Sequence, residues 1–226
     1  MKKNSIKFFE KDKRHNIPKL NAKLISVTIT LLVLVLFSAC EKNYTPEEIL
    51  YIQKIEKHRA DKNIEMRDSD LSPFNFKGKV EFHDLKYFDV KPEFVFKSKL
   101  WQYEPKDTVT IFGTKGEERK VVRFGWFLIN FEEKEYTINV YEGVSRTGTI
   151  YHSIWFTDLT TNKETYGVGR YIDFELMDDP DYEYEIDFNL AYNPYCAYSP
   201  EYSCAIPTKE DFLPVAIKAG EKKFHD

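Results

Sequence analysis

Tyr136-Thr137-Ile138-Asn139-Val140-Tyr141 is the stretch whose reading decides the fold. Tyr136, Ile138 and Val140 fall on one side of an extended chain and Thr137, Asn139 and Tyr141 on the other, the pattern of a strand with one face in a core. Outward from it the same chemistry repeats. Phe, Tyr, Val, Ile and Thr dominate beyond Pro73, while Gly, Pro, Asn and Asp mark the breaks. This predicts strands over 79–89, 94–101, 108–112, 120–130, 136–141, 150–157, 165–174 and 182–188. Gly113-Thr114-Lys115-Gly116 reads as a hairpin tip, since it lacks the Lys-Ser/Thr ending and strand-to-helix setting of a phosphate loop. The pattern predicts a mainly β protein: a single antiparallel β-sandwich or barrel-like domain over 67–226, long enough for one core, preceded by one amphipathic helix.

That helix starts at Thr45-Pro46-Glu47-Glu48. Thr45 suits the N-cap, Pro46 the first helical position, and Glu48 the carboxylate of a capping box. Ile49, Ile52 and Ile55 follow at helical spacing, predicting a helix over 46–62 that packs one apolar stripe on the domain. His58 and Arg59 are expected in solvent. With the tether after Cys40, this segment makes up 40–66.

Residues 1–39 have a different character. Eight basic residues from Lys2 to Lys23 meet only Glu10 and Asp12; an apolar run to Phe37 follows, then Ser38, Ala39 and Cys40. A basic region, a short apolar region and a small-residue cleavage site describe an export signal. A membrane span needs about 20 apolar residues, and the segment 24–39 is only 16 residues long. Phe37-Ser38-Ala39-Cys40 resembles a lipobox, which implies that Cys40 is the acylated N-terminus of the mature protein. Its palmitate-type chains, at about 0.8 kcal/mol per buried CH₂, would anchor it in a bilayer. The expected place is therefore the cell envelope, periplasmic or associated with the outer membrane.

Removing 8 basic and 2 acidic residues from totals of 33 and 37 leaves 25 against 35, a net charge of −10. That excludes nucleic acid as an expected partner, because nucleic acid demands a basic surface. Beyond Cys40 the cysteines are Cys196 and Cys204. In an oxidising compartment such a pair favours a disulfide over two free buried thiols. No metal site or cofactor is expected: the histidines lack zinc-type spacing, and Asp178-Asp179-Pro180-Asp181 lacks a calcium-loop pattern.

Two segments carry candidate site residues. Tyr151 to Phe156 and Thr165 to Ile172 read as a hairpin turning through 158–163. Strand parity places Tyr166, Val168, Arg170, Ile172 and Phe174 on the core face. An inward guanidinium needs a carboxylate, backbone carbonyls or an anionic ligand. Gly167 and Gly169, on the other face, leave room for an aromatic ring or a ligand. Asp187-Phe188-Asn189-Leu190-Ala191-Tyr192-Asn193-Pro194 then places Asp187 and Asn189 together and turns at Asn193-Pro194. Such polar density reads either as a pocket or as side chains satisfying a long loop.

TYGVGRY (165–171), DFNLAYNPYCAY (187–198), Cys204 before Pro207, and AGEKKF (219–224) resemble the domain-of-unknown-function family 1684, from about His58 to Phe224. The resemblance implies signature roles for Tyr166, Gly167, Gly169, Arg170, Asp187, Asn189, Asn193, Pro194, Cys196 and Cys204. Tyr195 stands where many relatives have a second proline. The family carries no activity to transfer. The expected function is a membrane-anchored module with a polar pocket formed by Tyr166, Arg170, Asp187, Asn189, Tyr192 and Asn193, holding a small anionic or sugar-like ligand. The alternatives are a hydrolase using Asp187 as base with Arg170 as electrostatic stabiliser, and a protein-interaction module in envelope assembly.

Overall fold

The computed structural model describes residues 42–76, 80–145 and 148–225. The leader and Cys40 lie outside the described residues. Helix α1 spans Pro46–Asp68, and both halves of its capping box are made: Thr45 N donates to Glu48 Oε2 at 2.8 Å and Glu48 N to Thr45 Oγ1 at 3.2 Å. It runs past the expected end at Lys62 because its buried stripe continues through Met66. The stripe is Ile55, Arg59 and Met66, with Lys62 between them half-buried, whereas Ile49 is 45% exposed. Arg59 is therefore not in solvent. Its Nη1 donates to Phe88 O at 2.9 Å and its guanidinium lies 4.5 Å from the centre of the Tyr87 ring, so a cation occupies a place apolar spacing would leave to a hydrophobe. His58 is exposed, as expected.

The strands are β1 Val95–Lys99, β2 Trp101–Phe112, β3 Glu118–Phe131, β4 Lys134–Val144, β5 Ile150–Asp158, β6 Arg170–Phe174, β7 Glu183–Asp187 and β8 Phe212–Leu213. β2 to β6 form an antiparallel meander in chain order, and β8 lies parallel to the end of β5. β1 and β7 make a separate antiparallel pair, tied to β3 where Leu128 N donates to Ser98 Oγ at 3.1 Å. The sheets curl into a half-barrel, the barrel-like form of the expected fold. Gly113 to Gly116 forms the β2–β3 turn, as its sequence predicts. Pro105 sits within β2 where the pairing with β3 shifts register, on an edge strand that has no need of its missing N–H.

Two expected strands differ. Residues 80–89 form no strand; Val80, Phe82 and Leu85 instead pack with Met66, Phe74, Tyr198 and Phe224 in a second small core. Alternating apolar residues found a helix and the C-terminal chain to cover them rather than a pairing partner. The strand expected over 165–174 begins only at Arg170, because Tyr166 to Gly169 is a turn. Gly169 has φ +111° and a Cβ there would meet Phe156 O at 2.5 Å, so its backbone, not an aromatic neighbour, demands glycine. Gly167 faces the Asn162 side chain rather than a ring.

The main core lies between the meander and the β1–β7 pair, with Phe127, Val140, Ile154, Phe156, Phe188 and Ile217 at its centre. Tyr136, Ile138 and Val140 face it, as their alternation predicts. On the opposite face Asn139 and Tyr141 are also buried, because the C-terminal chain crosses that side and brings Asp211 within 2.9 Å of both.

Candidate functional site

The pocket expected from Arg170, Asp187, Asn189 and Asn193 does not form. All four side chains are buried and turned to internal partners. Arg170 is 1% exposed and its Nη2 pairs with Asp158 Oδ2 at 2.9 Å, while its guanidinium also donates to the carbonyls of Ile217 and Ala219. It clamps the C-terminal chain to β5. The inward charge read from strand parity is real, but Asp158 and two carbonyls answer it.

Asp187 accepts from Asn189 N at 2.8 Å, capping the short turn Phe188–Leu190, and from the Tyr51 hydroxyl at 2.8 Å. Asn189 Nδ2 donates to Tyr51 Oη and Lys91 O, and its Oδ1 accepts from Lys91 N, each at 2.9 Å. This knot fastens α1 and the entry to β1 onto the end of β7. Burial beside Asp187 pushes the Tyr51 phenol well above its ordinary range. Asp187 is thus an acceptor in a packed joint, 4% exposed. Asn193 donates through its backbone to Glu221 Oε2 at 2.9 Å and through Nδ2 to Lys222 O at 2.8 Å.

Of the six candidates Tyr192 alone lines a cleft of about 630 Å³. One wall is α1, through His58, Asp61, Lys62, Glu65 and Met66. The other is built from β6 at Tyr171 to Asp173 and from the irregular chain at Leu190, Tyr192, Pro194, Tyr195, Tyr202 and Cys204. Four tyrosines therefore face it. Tyr192 donates to Asp173 Oδ2 at 2.6 Å and meets Tyr171 edge to face at 5.9 Å; Tyr195 and Tyr202 meet likewise at 5.2 Å.

The charges of the cleft are unequal. Lys62 Nζ pairs with the buried Glu221 at 2.8 Å and sits 4.8 Å from the Tyr192 ring centre, so its charge is already matched. Partial desolvation at the cleft wall, with Lys62 and Arg59 nearby, holds the largely exposed His58 imidazole below its ordinary pKa. Asp61, Glu65 and Asp173 supply carboxylates. No cluster of three or more metal-ligating side chains occurs among the described residues.

Beside the cleft, Cys196 and Cys204 are free thiols in this structure, where the sequence favours a bridge. Cys196 N donates to Cys204 Sγ at 3.3 Å, and the Tyr166 hydroxyl donates to Cys196 O at 3.1 Å with Cys196 Sγ at 3.8 Å. Hydrogen bonding from the Cys204 thiol, partly offset by burial, lowers Cys196 to about 7; the same contact raises Cys204.

Lys62, Tyr171, Asp173, Tyr195 and Tyr202 were not among the pocket candidates read from the sequence. The signal available was the AGEKKF string, whose Glu221 is the carboxylate that Lys62 and Asn193 share. The model of a family described as a protein of unknown function, DUF1684, matches residues 80–222. The chain belongs to DUF1684. A solution NMR structure of an uncharacterised Haloarcula marismortui protein, from gene locus rrnAC0354, shares the fold of this DUF1684 protein. The two are 24% identical with a TM-score of 0.56, over 78% of this chain and 96% of the other. No curated protein matches the sequence.

Proposed function

We propose that this DUF1684 protein is a binding module of the cell envelope, held to a membrane through acylated Cys40, whose cleft takes a small sugar-like ligand. The observation that carries the reading is the lining of the cleft: four tyrosines beside three carboxylates, with its lysine already paired. Pockets of several hundred Å³ with apolar walls and a few placed polar groups suit small molecules. Tyrosine rings present flat apolar faces with polar tips, which fit a ring bearing hydroxyls, and carboxylates accept from those hydroxyls. A carboxylated or phosphorylated ligand would meet Asp61, Glu65 and Asp173 without an unspent cation, so the neutral sugar is favoured over the anion. The anchor rests on the export-type leader and on residues 37–40.

The full chain in detergent is screened by thermal shift against neutral mono- and oligosaccharides and against sugar acids. A neutral sugar at about 100 times its dissociation constant adds about 2.7 kcal/mol of stability. Tyr192→Ala removes that gain while Tyr166→Phe, which changes no residue lining the cleft, keeps it. Stabilisation by sugar acids alone, or by none of the sugars, overturns the reading. Metabolic labelling with palmitate tests the anchor separately: Cys40→Ser must lose the label.

A further inference from the structure

We propose that Cys196 and Cys204 form a thiol–disulfide exchange site that reduces disulfide-bearing molecules reaching the cleft. The pair is placed for it by three independent elements. Cys196 sits on the short turn Tyr195–Ala197, which hangs from Pro194 by the bond from Ala197 N to Pro194 O at 2.8 Å. Cys204 is held from the opposite side by the β2–β3 turn: Thr114 N donates to Cys204 O at 3.0 Å and Cys204 N to Thr114 Oγ1 at 3.2 Å. Arg119 donates to Ser203 O at 3.0 Å, fixing the same segment. With Cys196 N donating to Cys204 Sγ at 3.3 Å, the two residues are brought together by framework rather than by a bond between their sulfurs.

Both cysteines are half-buried rather than sealed, and Cys204 lines the cleft. The surroundings separate their roles. Cys196 Sγ has the Tyr166 hydroxyl at 3.8 Å, which favours its thiolate, while contact with Cys196 and burial raise the Cys204 thiol. Cys196 is the attacking sulfur and Cys204 the resolving one.

The Cys196 thiolate attacks one sulfur of a disulfide RSSR, the S–S bond breaks, and RS⁻ leaves to take a proton from solvent. This gives a mixed disulfide between Cys196 and R. Cys204 then loses its proton to solvent and attacks Cys196 Sγ, expelling the second RS⁻. The protein dithiol is oxidised by two electrons to the Cys196–Cys204 disulfide and RSSR is reduced to two thiols.

The test uses the full chain, reduced and then freed of reductant, in detergent at about pH 7.5. Oxidised glutathione is the probe, with peptide mass spectrometry after acid quenching. Wild type is expected to gain the Cys196–Cys204 bridge with no lasting adduct. Cys204→Ser is expected to trap glutathione on Cys196, and Cys196→Ser to react at least tenfold more slowly at the remaining Cys204. Wild type that keeps both thiols in the native state while reacting once unfolded overturns the proposal. So does wild type that accumulates adducts without the bridge, or a trapped adduct confined to Cys204. Because the wild-type readout needs no substitution, a variant that fails to fold leaves the proposal testable.

Discussion

Replacing Arg170 by methionine removes the cation from an ion pair whose side chains are 1% and 0% exposed. A methionine fills much of the volume, so the cost falls mainly on the groups left behind. The Asp158 carboxylate stays buried, and the carbonyls of Ile217 and Ala219 lose their donors. Breaking a buried pair from one side costs about 3–5 kcal/mol. Asp158 keeps donors from Ile217 N, Thr160 N and the Thr160 hydroxyl at 2.9, 2.9 and 2.6 Å, which places the loss near about 3 kcal/mol. For a domain of this size that lowers Tm by about 6–12 °C. Urea unfolding followed by tryptophan fluorescence measures it, since Trp155 is buried against Tyr141 at 4.5 Å. Adding Asp158→Asn makes the remaining partner neutral, and the double variant recovers about 1–3 kcal/mol of the summed single losses. Two results refute the reasoning: a loss below about 1 kcal/mol in Arg170→Met, or additive losses in the cycle. An Arg170→Met protein of normal stability that loses a saccharide-induced thermal shift shown by the wild type would return Arg170 to a ligand site.

Tyr51→Phe removes the hydroxyl shared by Asp187 and Asn189, and is expected to cost about 1–3 kcal/mol in urea unfolding, because a carboxylate loses a buried donor. Thr45→Ala removes the N-cap of α1 and costs about 1 kcal/mol, read as faster amide exchange in the first turn and a lower Tm. His152 is held below its ordinary value of 6.5 by burial, against the pull of Glu142 at 3.3 Å. A base depressed in the folded state leaves the unfolded chain with more bound protons, so its effect on stability is absent above about pH 6.5 and grows as a penalty on acidification below it. His152→Gln is expected to flatten the fall in Tm between about pH 7 and 5, and an unchanged slope removes His152 from the acid response.

The strands were legible wherever a segment both alternates and has a neighbour to pair with. β4 shows this at Tyr136, Ile138 and Val140, and the capping box of α1 was legible because Thr45 and Glu48 act within one turn. Residues 80–89 were misread because alternation reports that one side is covered, not by what; the cover there is Met66, Tyr198 and Phe224, one from α1 and two from near the C-terminus. Arg59 was misread for the same reason: its partner, the carbonyl of Phe88, lies 29 residues away. The cleft was illegible at Tyr171, Tyr195 and Tyr202, which line one space only after α1 and the irregular chain have both packed against β6.

The strings that suggested the family fall mostly on residues with internal duties. Arg170 clamps Ile217 and Ala219, Asp187 and Asn189 fasten Tyr51, Asn193 holds Lys222, and Glu221 receives Lys62. Each joins segments far apart in the chain, and several serve a long C-terminal run that has little regular structure of its own. Such a run cannot satisfy its backbone through ladders, so buried side chains must do it, and each is costly to lose. A fingerprint built from them identifies how the C-terminal chain and the helix are fastened to the sheet. It leaves the ligand unspecified, because the cleft walls also draw on α1 and on Asp173 and Tyr202, which lie outside those strings, and of the six pocket candidates Tyr192 alone lines it. Specificity within this fold is therefore to be sought by substitution at Asp61, Glu65, Tyr195 and Tyr202, whose removal leaves those fastenings in place.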